Sequence, residues 1–249
     1  MTFQDHFSAR AAGYAQARPT YPPELFAYLA ALAPGSDLAW DCGTGNGQAA
    51  LRLAEHFDQV IATDPSAAQL AQAPAHPRIE FRLGLEKESR LPAGSADLVT
   101  AAQAAHWFDL QDFYAEATRV LRASGVLAIW CYALLSIEPG LDELMNEFYT
   151  VTVGPYWPPE RRHTENAYRA LPFPFPELPF PAVAMEAQWS LPRLGAYVHT
   201  WSSVMRFVAE EGFDPVEPLM SRLAPRWGPP ESEKRIRWPL GGRMGRRPA

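Results

Sequence analysis

Leu38-Ala39-Trp40-Asp41-Cys42-Gly43-Thr44-Gly45-Asn46-Gly47-Gln48 is the stretch that decides the fold. A short apolar run ends in an acid, a turn with three glycines follows, and residues 49–57 then carry helical spacing. Strand, tight turn and helix start form the layout by which open α/β sheets hold a nucleotide-like ligand at the C-terminal end of a strand. Glycines permit the left-handed backbone of such a turn and a close approach of main chain to ligand. The start of the helix adds N–H groups without intrahelical partners.

The glycine register separates two ligands. A dinucleotide fingerprint reads G-x-G-x-x-G/A, with the third small residue under a pyrophosphate. Here the register is G-x-G-x-G, Gln48 stands where the third glycine would be, and Asp41 lies two positions before the first. The following residues repeat the strand pattern. Gln59-Val-Ile-Ala-Thr-Asp64 is an apolar strand ending in an acid, 64 − 41 = 23 residues beyond Asp41. An acid at such a strand tip can accept both hydroxyls of a ribose. Strands are also predicted at Arg78 to Gly84, Asp97 to Ala102 and Val126 to Tyr132, with an amphipathic helix from Leu110 to Leu121 broken by Ser124-Gly125. Strands alternating with helices imply a parallel sheet covered on both faces.

The pattern Asp41-x-Gly43-x-Gly45-x-Gly47 resembles motif I of the class I S-adenosylmethionine (SAM) methyltransferases, and the ordered strand ends extend that resemblance over the first 135 residues. Phe7-Ser-x-x-Ala-x-x-Tyr14-x-x-x-Arg18-Pro-x-Tyr21-Pro, Gln103-Ala-Ala-His106-Trp107-Phe108-Asp109, Thr200-Trp-Ser-Ser and Arg237-Trp-Pro-Leu240 are similar to the type 11 branch, in a subgroup near trans-aconitate methyltransferase-like proteins. The resemblance implies a doubly wound, Rossmann-like α/β fold with a seven-stranded, mostly parallel sheet of order 3-2-1-4-5-7-6, its last two strands a reversed hairpin. It implies SAM as cofactor, with contacts from Asp41, Gly43, Thr44, Gly45, Gly47, Asp64, Pro65, Leu85, Glu86 and Gln103. Asp64 would take the ribose, and the turn at Leu85-Glu86 would lie beside the adenine. Substrates vary across such a fold far more than the cofactor site does.

Methyl transfer from a sulfonium asks chiefly for alignment of nucleophile, methyl carbon and sulfur. A base is required only for a protonated acceptor. His106, just past the fourth strand, is the candidate catalytic residue. It can act as a base near neutral pH or stand as a wall histidine. Tyr14, Arg18, Tyr21, Trp107 and Trp157 are expected to frame a small-molecule acceptor, with Arg18 and Tyr14 meeting an acid of cofactor or substrate. Three activities stay open: methyl transfer to a small molecule, carboxylate O-methylation of the trans-aconitate type, and SAM or nucleotide binding without transfer. A nicotinamide oxidoreductase is disfavoured by the glycine register and by the lack of a Tyr-x-x-x-Lys pair after the fifth strand.

The 249 residues, 47% of them apolar, suffice for one full core. A net charge of −6 argues against a nucleic-acid partner, which calls for a basic face. The two cysteines, Cys42 and Cys131, fall on strand ends and read as buried small hydrophobes, with no metal spacing. No polar-flanked leader and no run of about 18 apolar residues is seen, so no membrane partner and a cytoplasmic location are expected. The sequence is silent on oligomeric state. Residues 1–34 are assigned to an N-terminal cap, 35–135 to the SAM-binding core, 136–181 to a lid insertion with eight prolines between Pro155 and Pro181, and 182–249 to elements completing the sheet. A helix is expected over 138–153, a strand over 182–190, and helices over 191–211 and 215–223. Residues 232–242 are expected to form a last, basic strand at the sheet's edge.

Overall fold

The computed structural model describes residues 19–249. Five strands form its parallel half: β1 (Leu38–Cys42), β2 (Gln59–Asp64), β3 (Ile79–Leu83), β4 (Ala96–Ala102) and β5 (Leu121–Tyr132). They lie in the order β3-β2-β1-β4-β5, and the strand order reverses between β1 and β4. Three strands complete the sheet: β6 (Glu177–Leu178), β7 (Ala184–Trp189) and β8 (Lys234–Arg246), with β8 antiparallel to β5, β6 and β7. β8 is long enough to serve two neighbours. Its second half pairs with β5, Leu240 opposite Tyr132 and Arg246 opposite Val126, and its first half pairs with β7, Pro239 opposite Ala184. β6 adds two residues beside Met244 and Gly245. With β7 and β8 as the final antiparallel pair, joined through three helices rather than a tight turn, the observed order is the expected 3-2-1-4-5-7-6, with β6 as an addition.

The expectation of a basic edge strand ending near Gly242 is corrected. β8 runs to Arg246 and lies inside the sheet, between β5 on one side and β6 and β7 on the other. Ile236, Trp238, Leu240 and Met244 bury their side chains along it, and this apolar row draws the strand inward. Its cations meet acids: Arg235 and Arg237 bridge to Glu186, Lys234 to Glu138 and Arg243 to Glu177. The Arg246 and Arg247 guanidiniums donate to the backbone oxygens of Ser124 and Leu121.

Because β1, β4 and β5 are covered on both faces, neighbouring residues serve opposite cores. Ala39, Leu98, Val126 and Trp130 pack under α1 (Pro23–Leu32) and α2 (Gln48–Leu53), where Phe26 and Leu53 are fully buried. Trp40, Val99, Leu127 and Cys131 pack on the other face. There they meet Phe113 and Val120 of the helix at Leu110–Val120. Cys42 and Cys131 are both buried and free, as the sequence suggested. A four-residue helix, α3 (Ala67–Leu70), links β2 to β3, so Leu110–Val120 is α4. α5 (Pro139–Glu147) continues into a π-helical turn at Phe148–Thr152, which together cover the helix expected over 138–153.

The proline-rich stretch holds only short 3₁₀ turns, α6 (Arg162–Glu165) and β6. It is built into the second core all the same, since Tyr168 is fully buried and Leu171 and Phe175 nearly so. The helix expected over 191–211 is two, α7 (Leu191–Val198) and α8 (Ser202–Glu211), and α9 (Val216–Trp227) follows. No described helix is long and apolar enough to cross a membrane.

Candidate functional site

The glycine turn is fixed by hydrogen bonds to strand ends. Gly43 and Thr44 donate their N–H groups to the Thr63 carbonyl, at 2.8 and 3.0 Å. Asp41 is fully buried beneath the turn, and its two oxygens accept from Thr44 Oγ1 (2.6 Å) and Thr100 Oγ1 (2.7 Å). Burial drives the Asp41 carboxyl up to about 6, against the two threonine hydroxyls that favour its charged form. Asp64, at the tip of β2, accepts from Gly45 N and from Ser66 N, both at 2.8 Å. Asp41 therefore pegs the turn from below, and Asp64 ties it to the neighbouring strand.

Gly43, Gly45 and Gly47 all take positive φ, at 69°, 57° and 85°. At Gly43 and Gly47 the space is taken by protein. A Cβ on Gly43 would stand 2.5 Å from the Ala104 Cβ, and one on Gly47 would stand 2.9 Å from the Phe81 ring. At Gly45 the nearest atom would be Gln69 Oε1 at 3.9 Å, so this is the open side of the turn. Pro65 and Glu86 are half-buried at the ends of β2 and β3, and Leu85 is exposed.

Gln103 closes the arrangement after β4. It holds φ at +55°, a strained value for a residue with a Cβ. Its N–H donates to Trp130 O and its Oε1 accepts from Tyr132 N. Its Nε2 is buried with no partner among the described residues. An orphaned donor costs free energy unless a ligand meets it. The open turn at Gly45, the acids at two strand tips and this donor fit SAM, which carries ribose hydroxyls and an amino-acid end.

A second space, partly open to solvent, lies beside Gln103. His106 and Trp107 reach it from a 3₁₀ turn (Ala105–Trp107), which Asp109 follows as N-cap of α4, accepting from Gln111 N and Asp112 N. Tyr132 lines it from the end of β5, Trp157 and Arg161 from the proline-rich segment, and Tyr197 and Trp201 from α7 and its end. The walls are largely aromatic. Trp157 lies 5.0 Å from the Tyr149 ring and 5.6 Å from Trp201. The Arg161 guanidinium carbon stands 4.7 Å over the Trp157 ring. A wider concavity lined by Asp37, Asp58, Arg78 and Glu80 lies at the N-terminal ends of β1 to β3, away from the glycine turn.

His106 is buried, with Nδ1 2.8 Å from the Tyr168 hydroxyl. Burial first, then Arg161 and His163, lower its pKa to about 3, so the imidazole is neutral at pH 7. Burial pushes the Tyr168 phenol well above its usual range, so the hydroxyl keeps its proton at pH 7. Either tautomer of the neutral imidazole satisfies this bond: the phenol O–H donates to a bare Nδ1, or its oxygen accepts from a protonated one.

The structure thus lines one cavity with His106, Trp107 and Trp157, which were expected at the acceptor, and with Gln103, which was expected at the cofactor. Tyr21 instead packs in the core, with ring centroids 5.8 Å from Trp130 and 6.3 Å from Phe26. Tyr14 and Arg18 lie outside the described residues. Sequence reasoning missed Arg161, Tyr132, Tyr168 and Tyr197. Arg161 follows Pro158-Pro-Glu in a charged, aperiodic run, where nothing marks one arginine as inward-facing.

Known proteins resemble the chain closely. The type 11 methyltransferase-domain family matches residues 40–129. A Dictyostelium discoideum protein named as a methyltransferase is 37% identical over 210 residues, 83% of this chain and 80% of its own length. A Saccharomyces cerevisiae protein named as an S-adenosylmethionine-dependent methyltransferase is 29% identical over 150 residues, 55% of this chain and 50% of its own. A solved structure from Anaeromyxobacter dehalogenans, described as a type II methyltransferase, shares 42% identity with a TM-score of 0.89, over 93% of this chain and 99% of that one.

Proposed function

The chain belongs to the class I SAM-dependent methyltransferases, and on that premise we propose that it transfers a methyl group to a small-molecule acceptor seated between Gln103, His106 and Trp157. The observation that carries this reading is the placement of the aromatic cavity. It shares Gln103 with the cofactor cradle, beyond the C-terminal ends of β4 and β5 where ligands of such sheets sit.

When bound, SAM supplies a methyl group on a sulfonium, already activated for displacement. The residues of this chain hold and align. Asp64 and the glycine turn receive the ribose and the amino-acid end, Leu85 and Glu86 flank the adenine, and Gln103 Nε2 bridges cradle and cavity. Trp107, Trp157 and Trp201 exclude water and orient the acceptor, which is where most of the rate enhancement of an in-line transfer arises. Neutral His106, its Nδ1 held by Tyr168, leaves Nε2 for a hydrogen bond with the acceptor. A pKa of about 3 makes it a poor proton acceptor at pH 7, so an acceptor arriving as an anion suits this cavity better than a protonated phenol or amine. Carboxylate O-methylation is the narrower form of this reading, since a carboxylate needs no base. The net charge of −6 and the aromatic walls fit a nucleic acid poorly.

Incubating the protein with SAM and a library of small metabolites, and measuring release of S-adenosylhomocysteine, tests the proposal. Release is expected with a subset of small molecules. Robust methylation of RNA or protein, with no small molecule accepted, would sink it.

A further inference from the structure

Several arginines of this fold meet a carboxylate, and Arg246 and Arg247 donate to backbone oxygens. Arg119 pairs with Glu116, Arg122 with Asp97 and Arg243 with Glu177. Arg161 is the contrast. It is half-buried and lines the acceptor cavity, yet no carboxylate of the described residues stands within salt-bridge distance of it. Its Nε is buried without a partner. Its polar neighbour is the Tyr149 hydroxyl, which donates onward to Glu165 Oε1 at 3.1 Å. Trp157 beneath it and Tyr132 and Tyr197 around it are aromatic. A charge left in such surroundings is costly, and the cost is relieved when a ligand anion completes the pair.

We propose that Arg161 is the anion receptor of the acceptor site, so that the methyl acceptor carries a carboxylate, which the guanidinium receives while standing over the Trp157 ring. The proposal rests on reading the cavity as the acceptor site. Three features favour a carboxylate over a phosphate. Arg161 is the one cationic side chain on the cavity wall among the described residues, since His106 beside it is neutral. A single guanidinium matches a single negative charge in the planar, two-pronged fashion that carboxylates accept. The buried Gln103 Nε2, also without a partner, offers a neutral donor on the same cavity.

The test uses the full chain saturated with S-adenosylhomocysteine. Small carboxylic acids, each paired with its primary amide (benzoate with benzamide, phenylacetate with phenylacetamide, hexanoate with hexanamide), are titrated calorimetrically and by tryptophan fluorescence. At least one acid is expected to bind about ten-fold or more tightly than its amide, the scale of a charge-assisted hydrogen bond. Arg161→Gln should erase that preference, and Arg161→Lys should keep part of it, since charge survives while the planar fork is lost. Equal binding of acids and amides to the wild-type protein overturns the proposal, and that comparison requires no variant to fold. Undiminished acid binding by Arg161→Gln also overturns it. If Arg161→Gln instead loses S-adenosylhomocysteine, the arginine serves the cofactor's own carboxylate and the proposal is wrong. Inorganic phosphate binding more tightly than every acid would replace the carboxylate assignment. None of these results touches the methyltransferase reading, which fails separately if no small molecule releases S-adenosylhomocysteine.

Discussion

Replacing Asp64 by alanine separates the loop contacts of this carboxylate from the ribose contact proposed for it. In the ligand-free chain its oxygens accept the N–H groups of Gly45 and Ser66, and the side chain is 8% exposed. Hydrogen bonds to a charged group contribute roughly 1.5–3 kcal/mol each, and water that enters the vacated space recovers part of that. A loss of about 2–4 kcal/mol of stability is therefore expected from the loop contacts alone. If the carboxylate also receives the ribose hydroxyls, cofactor affinity falls as well, by roughly another 1.5–3 kcal/mol or about 10- to 100-fold in Kd. Urea unfolding measures the first quantity. Calorimetric titration of S-adenosylhomocysteine, below the onset of unfolding, measures the second. Asp64→Asn, which keeps one acceptor oxygen, should fall between the two in both. Should the alanine variant lose stability yet bind the cofactor product within about three-fold of wild type, Asp64 would be a loop fastener only, and the ribose assignment would be refuted.

Gly43→Ala should destabilise the protein by roughly 2–5 kcal/mol, from left-handed strain plus overpacking against Ala104 and Phe108; an unchanged urea midpoint would show that the turn relaxes freely. Protonation of His106 favours the unfolded chain, because its folded pKa of about 3 lies below the unfolded value of 6.5. Stability should fall by about 1.4 kcal/mol per pH unit below pH 6.5, roughly 2 kcal/mol by pH 5, and His106→Gln should remove that part of the slope. An imidazole seen by NMR to titrate near its ordinary value would contradict the buried, neutral assignment.

What the sequence disclosed was whatever local pattern controls. Apolar runs ending in Asp41 and Asp64, 23 positions apart, follow from a strand and a returning helix of ordinary length. The register of Gly43, Gly45 and Gly47 follows from backbone geometry within five residues, and all three hold positive φ. The reason for those glycines was less legible. Ligand room explains Gly45 alone, while Gly43 and Gly47 yield space to Ala104 and Phe81, partners set by packing of the turn after β4 and of β3. The same limit explains the error over the last strand. Alternation at Ile236, Trp238 and Leu240 marks a strand, but whether it is an edge depends on Glu177 and Glu186, 66 and 49 residues from the arginines they meet.

The candidate site divides along the same line. Gln103, His106 and Trp107 are contiguous, and the Asp109 cap fixes where their turn ends, so a motif could reveal them. Arg161 and Tyr168 reach the same histidine from a segment without periodicity. Ala167 and Tyr168 both adopt left-handed backbone, at φ of 55° and 62°, which sets the phenol under the imidazole. No propensity scale foretells two such residues in succession. Yet it is this pair of neighbours that sets the chemistry of His106: Tyr168 engages Nδ1, and Arg161 helps keep a second proton off. The cofactor half of the site is thus written in short-range glycine and acid spacing. The acceptor half is written in long-range packing, so relatives can share the first half and still differ in what they methylate.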